Sequence, residues 1–275
     1  MSLPKWSIRD GQFAHAYSTS NWFKPTYFEW DFKNIITDFV FLTDSHVHSV
    51  TSPEYAHLKK YAWLVESPAV TRGAYEFVEA NPNLFDKIFT HSEKLLQLPH
   101  SHIVPIGGCH LEQEEIKINH NKSKLVSMMY SGKNFAPGHS MRHEVAQKYS
   151  SLVDVMGSGT GTGHVKKVHS VQDYMFSVVI ENVKEGYYFT EKIVDAFLAG
   201  CIPIYYGSEH IGEFFNEKGF LTFDTLDELY EILNRPEMLM EFYKLHTSEV
   251  IENFNKALDH KIGEDYLYTH YKDIV

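Results

Sequence analysis

Two cations occupy positions where the start of a helix disfavours them. The stretch YYFTEKIVDAFLAGCIPIYYG, residues 187–207, predicts an α-helix capped by Thr190, which places Lys192 in the first turn. At that position the positive end of the helix dipole destabilises a lysine by about 0.3–1 kcal/mol. Arg142 repeats the pattern, since it follows Ser140, a second predicted N-cap, within one turn. A cation at such a position is either a solvated surface residue or part of an anion-binding site.

Both helix starts follow predicted strands and therefore belong at the carboxyl edge of one parallel sheet, where open α/β domains bind ligands. Free helix N–H groups together with Arg142 and Lys192 would make a site for a diphosphate. Alternatively, both are solvated surface cations, with Lys192 paired to Glu185 or Glu191. Their equivalent positions in two crossovers favour the anion site. The glycines of GSGTGTG, residues 157–163, lack the G-K-[ST] of a phosphate loop and indicate a flexible loop.

The elements that must position these residues alternate regularly after a polar boundary segment, residues 111–124. The predicted strands are KLVSMMYS, LVDVMG, YMFSVVIEN, IPIYYG and GFLTF, and the predicted helices are GHSMRHEVAQKYS, the helix that starts at Glu191, and two closing helices. This alternation predicts a parallel, doubly wound sheet. Earlier in the chain, ITDFVFLTD and YAWLVES are predicted strands that end in polar residues, which indicates a second, smaller α/β unit.

Composition excludes several classes of function. The formal net charge of −11 argues against nucleic-acid binding through a basic surface. Two cysteines give no disulfide framework and suit a reducing compartment. The first residues lack the apolar core of a signal peptide, and the most apolar run, AFLAGCIPIYYG, is too short to span a membrane. We therefore expect a soluble, cytoplasmic protein with no integral membrane segment.

One continuous stretch carries a family resemblance. FSVVIENVKEGYYFTEKIVDAFLAGCIPIYYG resembles the signature of the α1,3-fucosyltransferases, glycosyltransferase family 10, which reads approximately F-E-N, a short loop, Y-x-T-E-K, an apolar helix and x-I-P-[IV]-Y-W-G. Ile180 replaces the phenylalanine and Tyr206 the tryptophan of that signature. The resemblance implies a GT-B-type enzyme that transfers fucose from GDP-fucose with inversion, holds the donor in its C-terminal domain, and requires no metal or other cofactor.

The same resemblance implies roles for residues of the donor site. The implied donor-binding residues are Arg142, Glu181, Asn182, Tyr188, Glu191 and Lys192. The two cations would neutralise the diphosphate, and Tyr188 would donate a hydrogen bond to it. Glu191 would accept hydrogen bonds from the ribose hydroxyls, and the neighbouring Glu-Asn pair would shape the sugar end of the pocket. The family thus leads to the same two cations as the helix-start argument.

A catalytic base is also implied. An inverting transfer needs a base that takes the proton of the acceptor hydroxyl as it attacks the anomeric carbon. In the family this base is a glutamate at the end of an N-terminal strand, and YAWLVESP supplies Glu66 in that setting. The departing GDP gains negative charge, which the cations would stabilise. Alternatively, Glu66 is only a loop carboxylate ahead of Pro68.

A rival motif lies in FVFLTDSHVHS. Asp44, His46 and His48 form a D-x-H-x-H pattern that resembles the metal-binding start of amidohydrolase and PHP-type hydrolase barrels. If the strand continued through them, both histidines would project to one side, as metal ligands must. A chain of 275 residues could close a (β/α)₈ barrel. No later histidines complete a defensible ligand set. A third reading, a non-catalytic nucleotide-sugar-binding protein, would keep the cationic site and make no use of the predicted base.

These inferences predict an α/β protein of GT-B-like architecture, with two Rossmann-like domains facing across a cleft and the N-terminal one small. We expect an acceptor-side domain at 1–115, a donor-nucleotide-binding domain at 122–258, and a C-terminal tail at 259–275 that packs back on the N-terminal domain. The expected partners are a nucleotide-sugar donor and a glycan acceptor.

Overall fold

Two parallel β-sheets, one after the other along the chain, form the framework of the protein. The computed structural model describes residues 2–11, 18–161, 163 and 165–275. Within that part, the N-terminal sheet has six strands in the order β2-β1-β3-β4-β5-β6, and the C-terminal sheet has five in the order β11-β10-β9-β7-β8. All of their pairings are parallel. The strands are β1 (Lys5–Arg9), β2 (Glu29–Asp31), β3 (Phe39–Thr43), β4 (Lys59–Trp63), β5 (Lys87–Thr90), β6 (Ser101–Ile103), β7 (Lys124–Met129), β8 (Asp154–Met156), β9 (Tyr174–Ile180), β10 (Ile202–Tyr206) and β11 (Leu221–Thr222).

Seven α-helices connect and cover these sheets in the described part of the chain. They are α1 (Pro68–Ala80), α2 (Pro137–Lys148), α3 (Glu191–Leu198), α4 (Leu226–Leu233), α5 (Pro236–Leu245), α6 (Thr247–Asp259) and α7 (Gly263–Tyr271). The expectation of two closing helices is wrong, because four follow β11. Pro236 has no N–H to continue α4 and begins α5 instead, and the non-helical backbone of His246 separates α5 from α6.

The N-terminal sheet is buried on both faces. One face packs against α1 through aliphatic side chains such as Val40, Leu42 and Val78. The other face carries an aromatic cluster that includes Trp6, Trp30, Phe41 and Trp63 of β1 to β4, and Leu267 of α7 joins this cluster. The last helix of the chain therefore packs on the N-terminal sheet, and the hydroxyl of Tyr271 donates to the carbonyl of Ile103 at 2.7 Å.

The C-terminal sheet is built around β9, the continuous apolar run of the sequence. This strand lies between β10 and β7, as the run predicts for a strand buried on both faces. Phe176, Val178 and Ile180 belong to one core, whereas Val179 points to the other face, into the core that α3 covers. The start of α3 is thereby fixed beside the carboxyl end of β9, where the candidate site lies.

The segment that joins the two sheets fits closely between them. Gly107 pairs with Thr190 in an isolated parallel bridge, and the N–H of Gly108 donates to the carbonyl of His260 at 2.9 Å. Both glycines have left-handed backbones, with φ of 58° and 98°. A Cβ on either one would lie 2.3–2.4 Å from a backbone oxygen, of His260 or of Thr19. Only glycine lets the chain cross at this point.

Two expectations from the rival motif are not met. The strands of the described residues form two separate sheets, and not the closed (β/α)₈ barrel that the rival reading allowed. The strand β3 ends at Thr43, and Asp44–Ser49 is a 3₁₀-helix. Asp44, His46 and His48 therefore do not alternate along a strand as a metal-binding pair of histidines would require.

None of the helices in the described part of the chain is long and apolar enough to cross a membrane.

Candidate active site

A cleft of about 420 Å³ lies at the carboxyl ends of the strands of both sheets. Its N-terminal wall includes Glu66 and Asp44, which follow β4 and β3. Its C-terminal wall contains five of the six predicted donor-binding residues: Arg142, Asn182, Tyr188, Glu191 and Lys192. The predicted base and the predicted donor site thus belong to one cleft and face it from different sheets.

Lys192 lies at the start of α3, as the sequence predicts. Thr190 is the N-cap, and its Oγ1 accepts a hydrogen bond from the backbone N–H of Lys192. Lys192 Nζ donates to the same Oγ1 at 3.0 Å and lies 3.3 Å from a carboxylate oxygen of each of Glu181 and Glu191. Although burial alone would lower it, these two carboxylates hold the pKa of Lys192 above its ordinary value. The side chain of Lys192 is 22% exposed and is paired with Glu191, as the surface-cation alternative expected, and also with the buried Glu181, which that alternative did not include.

Glu181 lies one layer behind the cleft wall. Its side chain has no exposed surface, and its Oε1 accepts the backbone N–H of Thr190 at 2.9 Å. The hydroxyl of Thr190 lies 2.9–3.0 Å from both carboxylate oxygens. Glu181 is not among the residues that line the cleft, and the role at the sugar end that the resemblance implied for it stays a prediction. Glu181 fixes the helix cap and the ammonium group of Lys192, because a buried carboxylate requires such partners.

The predicted start of α2 is wrong by one turn. The helix begins at Pro137 rather than after Ser140, since proline at the first helical position has its φ fixed and needs no N–H partner. The N–H of Gly138 donates to the carbonyl of Asn182 at 2.9 Å, and a Cβ on this glycine would lie 1.7 Å from the carbonyl oxygen of Glu181. Arg142 consequently lies in the second turn, and it reaches the cleft from there.

The guanidinium of Arg142 is nearly buried and only partly paired. Its Nη2 donates to Oδ1 of Asn182 at 2.7 Å. Its Nε is buried and has no hydrogen-bond partner among the described residues. Burial lowers the pKa of Arg142, and the negative charges of Glu181 and Glu191 partly offset this decrease. The side chain stays charged all the same, because a guanidinium is not deprotonated in proteins. A buried cationic donor without a partner is suited to an anionic ligand.

Three further predicted residues complete the site. Glu66 is partly buried, and this burial raises the pKa of its carboxyl despite the opposing charge of Lys192. Tyr188 is 2% exposed, and its ring centroid lies 4.7 Å from that of His91. Burial alone would raise the pKa of Glu191, but the charge of Lys192, together with other nearby cations, outweighs burial and holds it below its ordinary value. At neutral pH Glu191 is therefore an acceptor of hydrogen bonds.

Asp44, the carboxylate of the rival metal-binding motif, forms hydrogen bonds to the backbone instead of joining a metal site. Oδ1 of Asp44 accepts hydrogen bonds from the backbone N–H groups of Val65 and Glu66, at 3.0 and 3.1 Å. The ring of His48 packs against Phe77 with centroids 4.6 Å apart. Among the residues described, no group of three or more side chains of the kinds that bind metals comes together. The metal-hydrolase alternative therefore has no site in this part of the chain.

Sequence reasoning missed several residues that line the cleft. His139 is 3% exposed, its Nδ1 accepts the N–H of Ala136 at 3.2 Å, and burial with the nearby charge of Arg142 lowers its pKa to about 4. A neutral histidine with that tautomer carries its proton on Nε2. Gly157 has φ of 105°, and a Cβ there would lie 2.4 Å from the carbonyl oxygen of Tyr130. The glycine run was the signal for this loop; Thr162, in the same run, lies outside the described residues.

A comparison with known families decides the relationship. The family described as glycosyltransferase family 10 (fucosyltransferase), C-terminal part, matches residues 119–261, just over half of the chain. This chain belongs to glycosyltransferase family 10. The matched range contains all five strands of the C-terminal sheet and helices α2 to α6. It therefore includes every predicted donor-binding residue and excludes Glu66.

The sequence identity to an individual member of the family is low. The chain is 28% identical over 137 residues to an α-(1,3)-fucosyltransferase of Helicobacter pylori, a match that covers 48% of this chain and 28% of that protein. The chain thus spans under a third of the length of this relative.

Solved structures resemble the whole fold. A crystal structure of an α1,3-fucosyltransferase with GDP-fucose superimposes with a TM-score of 0.59 and 19% identity, covering 94% of this chain and 90% of that one. The HepE protein of Anabaena, solved with UDP-glucose, superimposes with a TM-score of 0.58 and 12% identity. This superposition covers 86% of this chain and 79% of the HepE chain. At such identities the likeness shows the fold, and it confirms the GT-B architecture of two Rossmann-like sheets around a cleft.

Proposed function

We propose that this member of glycosyltransferase family 10 is an inverting fucosyltransferase that moves L-fucose from GDP-fucose to a hydroxyl group of a glycan. The observation that carries the proposal is the pair Arg142 and Lys192 on one wall of the cleft, with Glu66 on the other. Family membership and the GDP-fucose bound by the structural relative support the choice of donor.

The cationic wall supplies the binding of the donor. The guanidinium of Arg142 and the ammonium of Lys192 donate charge-assisted hydrogen bonds to the diphosphate. Tyr188 contributes a hydroxyl donor beside them, and the ionised Glu191 accepts from the ribose hydroxyls. Because Glu181 and Asn182 already hold the two cations, little reorganisation is needed when the donor binds.

The opposite wall supplies the base. Glu66 takes the proton from the acceptor hydroxyl while the oxygen forms a bond to the anomeric carbon and the bond from that carbon to the phosphate oxygen breaks. Attack from the wall opposite the diphosphate inverts the anomeric configuration. GDP leaves with additional negative charge, which Arg142 and Lys192 stabilise. We propose that these two cations do so without an essential divalent metal.

The test is the substitution Glu66→Gln, assayed with GDP-fucose and a panel of glycans. We expect transfer to fall at least 10²-fold, in line with the loss of a general base, while calorimetry shows GDP affinity unchanged. Glu76→Gln is the matched control, since Glu76 is an exposed residue of the neighbouring helix α1 and is paired with Arg72. Undiminished turnover by Glu66→Gln would move the base elsewhere, and GDP binding without transfer by the wild type would favour a non-catalytic nucleotide-sugar-binding protein.

A further inference from the structure

The peptide groups of Glu66 are held by side chains on both sides. Oδ1 of Asp44 accepts the N–H groups of Val65 and Glu66, at 3.0 and 3.1 Å. The hydroxyl of Tyr75, from α1, donates to the carbonyl oxygen of Glu66 at 2.7 Å. These two side chains come from different elements and lie on opposite sides of the same residue, which restricts rotation of its backbone.

A histidine behind Tyr75 fixes the direction of this hydrogen bond. The hydroxyl of Tyr75 lies 2.8 Å from Nε2 of His91, and both side chains are buried. Burial lowers the pKa of His91 to about 3, so its ring is neutral at pH 7. A phenol hydroxyl has one proton, and Tyr75 donates it in the hydrogen bond to the backbone carbonyl oxygen of Glu66. The tautomer of His91 that satisfies the pair therefore carries its proton on Nε2 and donates to the oxygen of Tyr75.

Asp44 adopts a left-handed backbone conformation, which few residues other than glycine adopt. Its φ is 44°, in the region where residues other than glycine carry backbone strain, although aspartate carries less than most. The strain occurs where β3 ends and the 3₁₀-helix begins, and it directs the carboxylate toward the end of β4. Such strain persists when the surroundings hold it, and it is concentrated at functional sites.

The backbone of Glu66 needs these side-chain hydrogen bonds because Glu66 lies between two regular elements. The strand β4 ends at Trp63, and the N–H of Leu64 makes the next backbone bond, to Phe89 at 3.0 Å. The helix α1 begins only at Pro68. The backbone groups of Glu66 therefore lack a ladder or helix partner, and side chains provide the fixation instead.

We propose that Asp44 and Tyr75, with His91 behind Tyr75, are positioning residues for the base Glu66. This inference rests on the proposed function and deepens it. His91 extends the arrangement to the donor wall, since its carbonyl accepts the N–H of Tyr187 at 3.0 Å and its ring packs against Tyr188. The base and the donor wall are thereby held at a fixed separation, and a displacement of about 1 Å in such geometry costs on the order of 10² in rate.

The test compares Asp44→Ala and Tyr75→Phe with matched controls. We expect each variant to lower kcat by about 10- to 100-fold and to leave GDP affinity within twofold. Asp86→Ala and Tyr271→Phe remove equivalent hydrogen bonds away from the cleft, to the N–H of Lys60 and the carbonyl of Ile103, and should leave kcat unchanged. Equal losses in the controls would show a general effect on the fold and would overturn the proposal.

Asp44→Asn separates positioning from charge. An asparagine oxygen can accept both N–H groups, so this variant should recover most of the kcat lost in Asp44→Ala. Hydrogen exchange at the amides of Val65 and Glu66 should accelerate in Asp44→Ala and stay slow in Asp44→Asn. Unchanged exchange, unchanged kcat in Asp44→Ala, or an Asp44→Asn variant as slow as Asp44→Ala would each contradict the proposal. Failure of the proposed function is distinguishable, because Glu66→Gln would then remain active.

Discussion

The ammonium of Lys192 lies 3.3 Å from Oε2 of Glu181, a carboxylate with no exposed surface. Arg142 is close enough that its charge lowers the pKa of Lys192 while Glu181 raises it. The buried carboxylate thus offsets the repulsion between the two cations before any anion arrives. A bound diphosphate would take over part of this compensation.

The first prediction concerns this compensation. Glu181→Gln should destabilise the protein without ligand by about 3 kcal/mol, since breaking a buried pair leaves uncompensated charge. GDP should then raise the Tm of the variant more than it raises that of the wild type, because the anion restores the missing charge. Glu144→Gln, which removes an exposed pair with Lys148, is the control and should change stability by under about 1 kcal/mol. Equal GDP-induced shifts in variant and wild type would contradict the account.

The second prediction concerns the pH dependence of transfer. Glu66 must be ionised to accept a proton, and burial raises its pKa above the ordinary value of a glutamate. We therefore expect kcat/KM to fall as the pH drops through a midpoint higher than the ordinary value of about 4.3. Stopped assays between pH 4 and 8, with protein integrity checked at each pH, measure this midpoint. A midpoint at or below the ordinary value would show that the buried carboxyl is not the base.

The third prediction concerns the pH dependence of stability. Glu264, at the start of α7, accepts hydrogen bonds from the N–H and hydroxyl of Thr19, and burial raises its pKa to about 7. The folded state thus binds a proton more tightly than the unfolded state, so this contribution is complete below about pH 4 and is lost as the pH rises to about 7. Glu264→Gln should reduce the fall in Tm between pH 5 and 8.

Thermal unfolding of the wild type, Glu264→Gln and the exposed control Glu237→Gln across this range checks the prediction. Part of the slope should remain in Glu264→Gln, because burial also raises the pKa of Asp44 and of Asp195 to about 7. An unchanged slope in Glu264→Gln would contradict the assigned role of this carboxyl.

The sequence predicts the C-terminal sheet well, because strands such as β9 are continuous apolar runs with helices between them. It also predicts Lys192 at a capped helix start, where a short-range rule suffices. The start of α2 was misplaced, since the close packing of Gly138 on Glu181 depends on a contact 43 residues away in the chain. The contacts of Asp44 were missed for the same reason: they join the ends of two neighbouring strands, whereas the local pattern suggested a metal ligand.

The central claim is that Arg142 and Lys192 form a diphosphate site, and calorimetric titration with GDP and with guanosine tests it most directly. In Arg142→Ala and Lys192→Ala we expect GDP affinity to fall by about 10- to 100-fold, the loss of a charge-assisted hydrogen bond, and guanosine affinity to change little. Lys148→Ala, an exposed residue of α2, is the control and should bind GDP as the wild type does. Unchanged GDP affinity in the two folded variants would contradict the account.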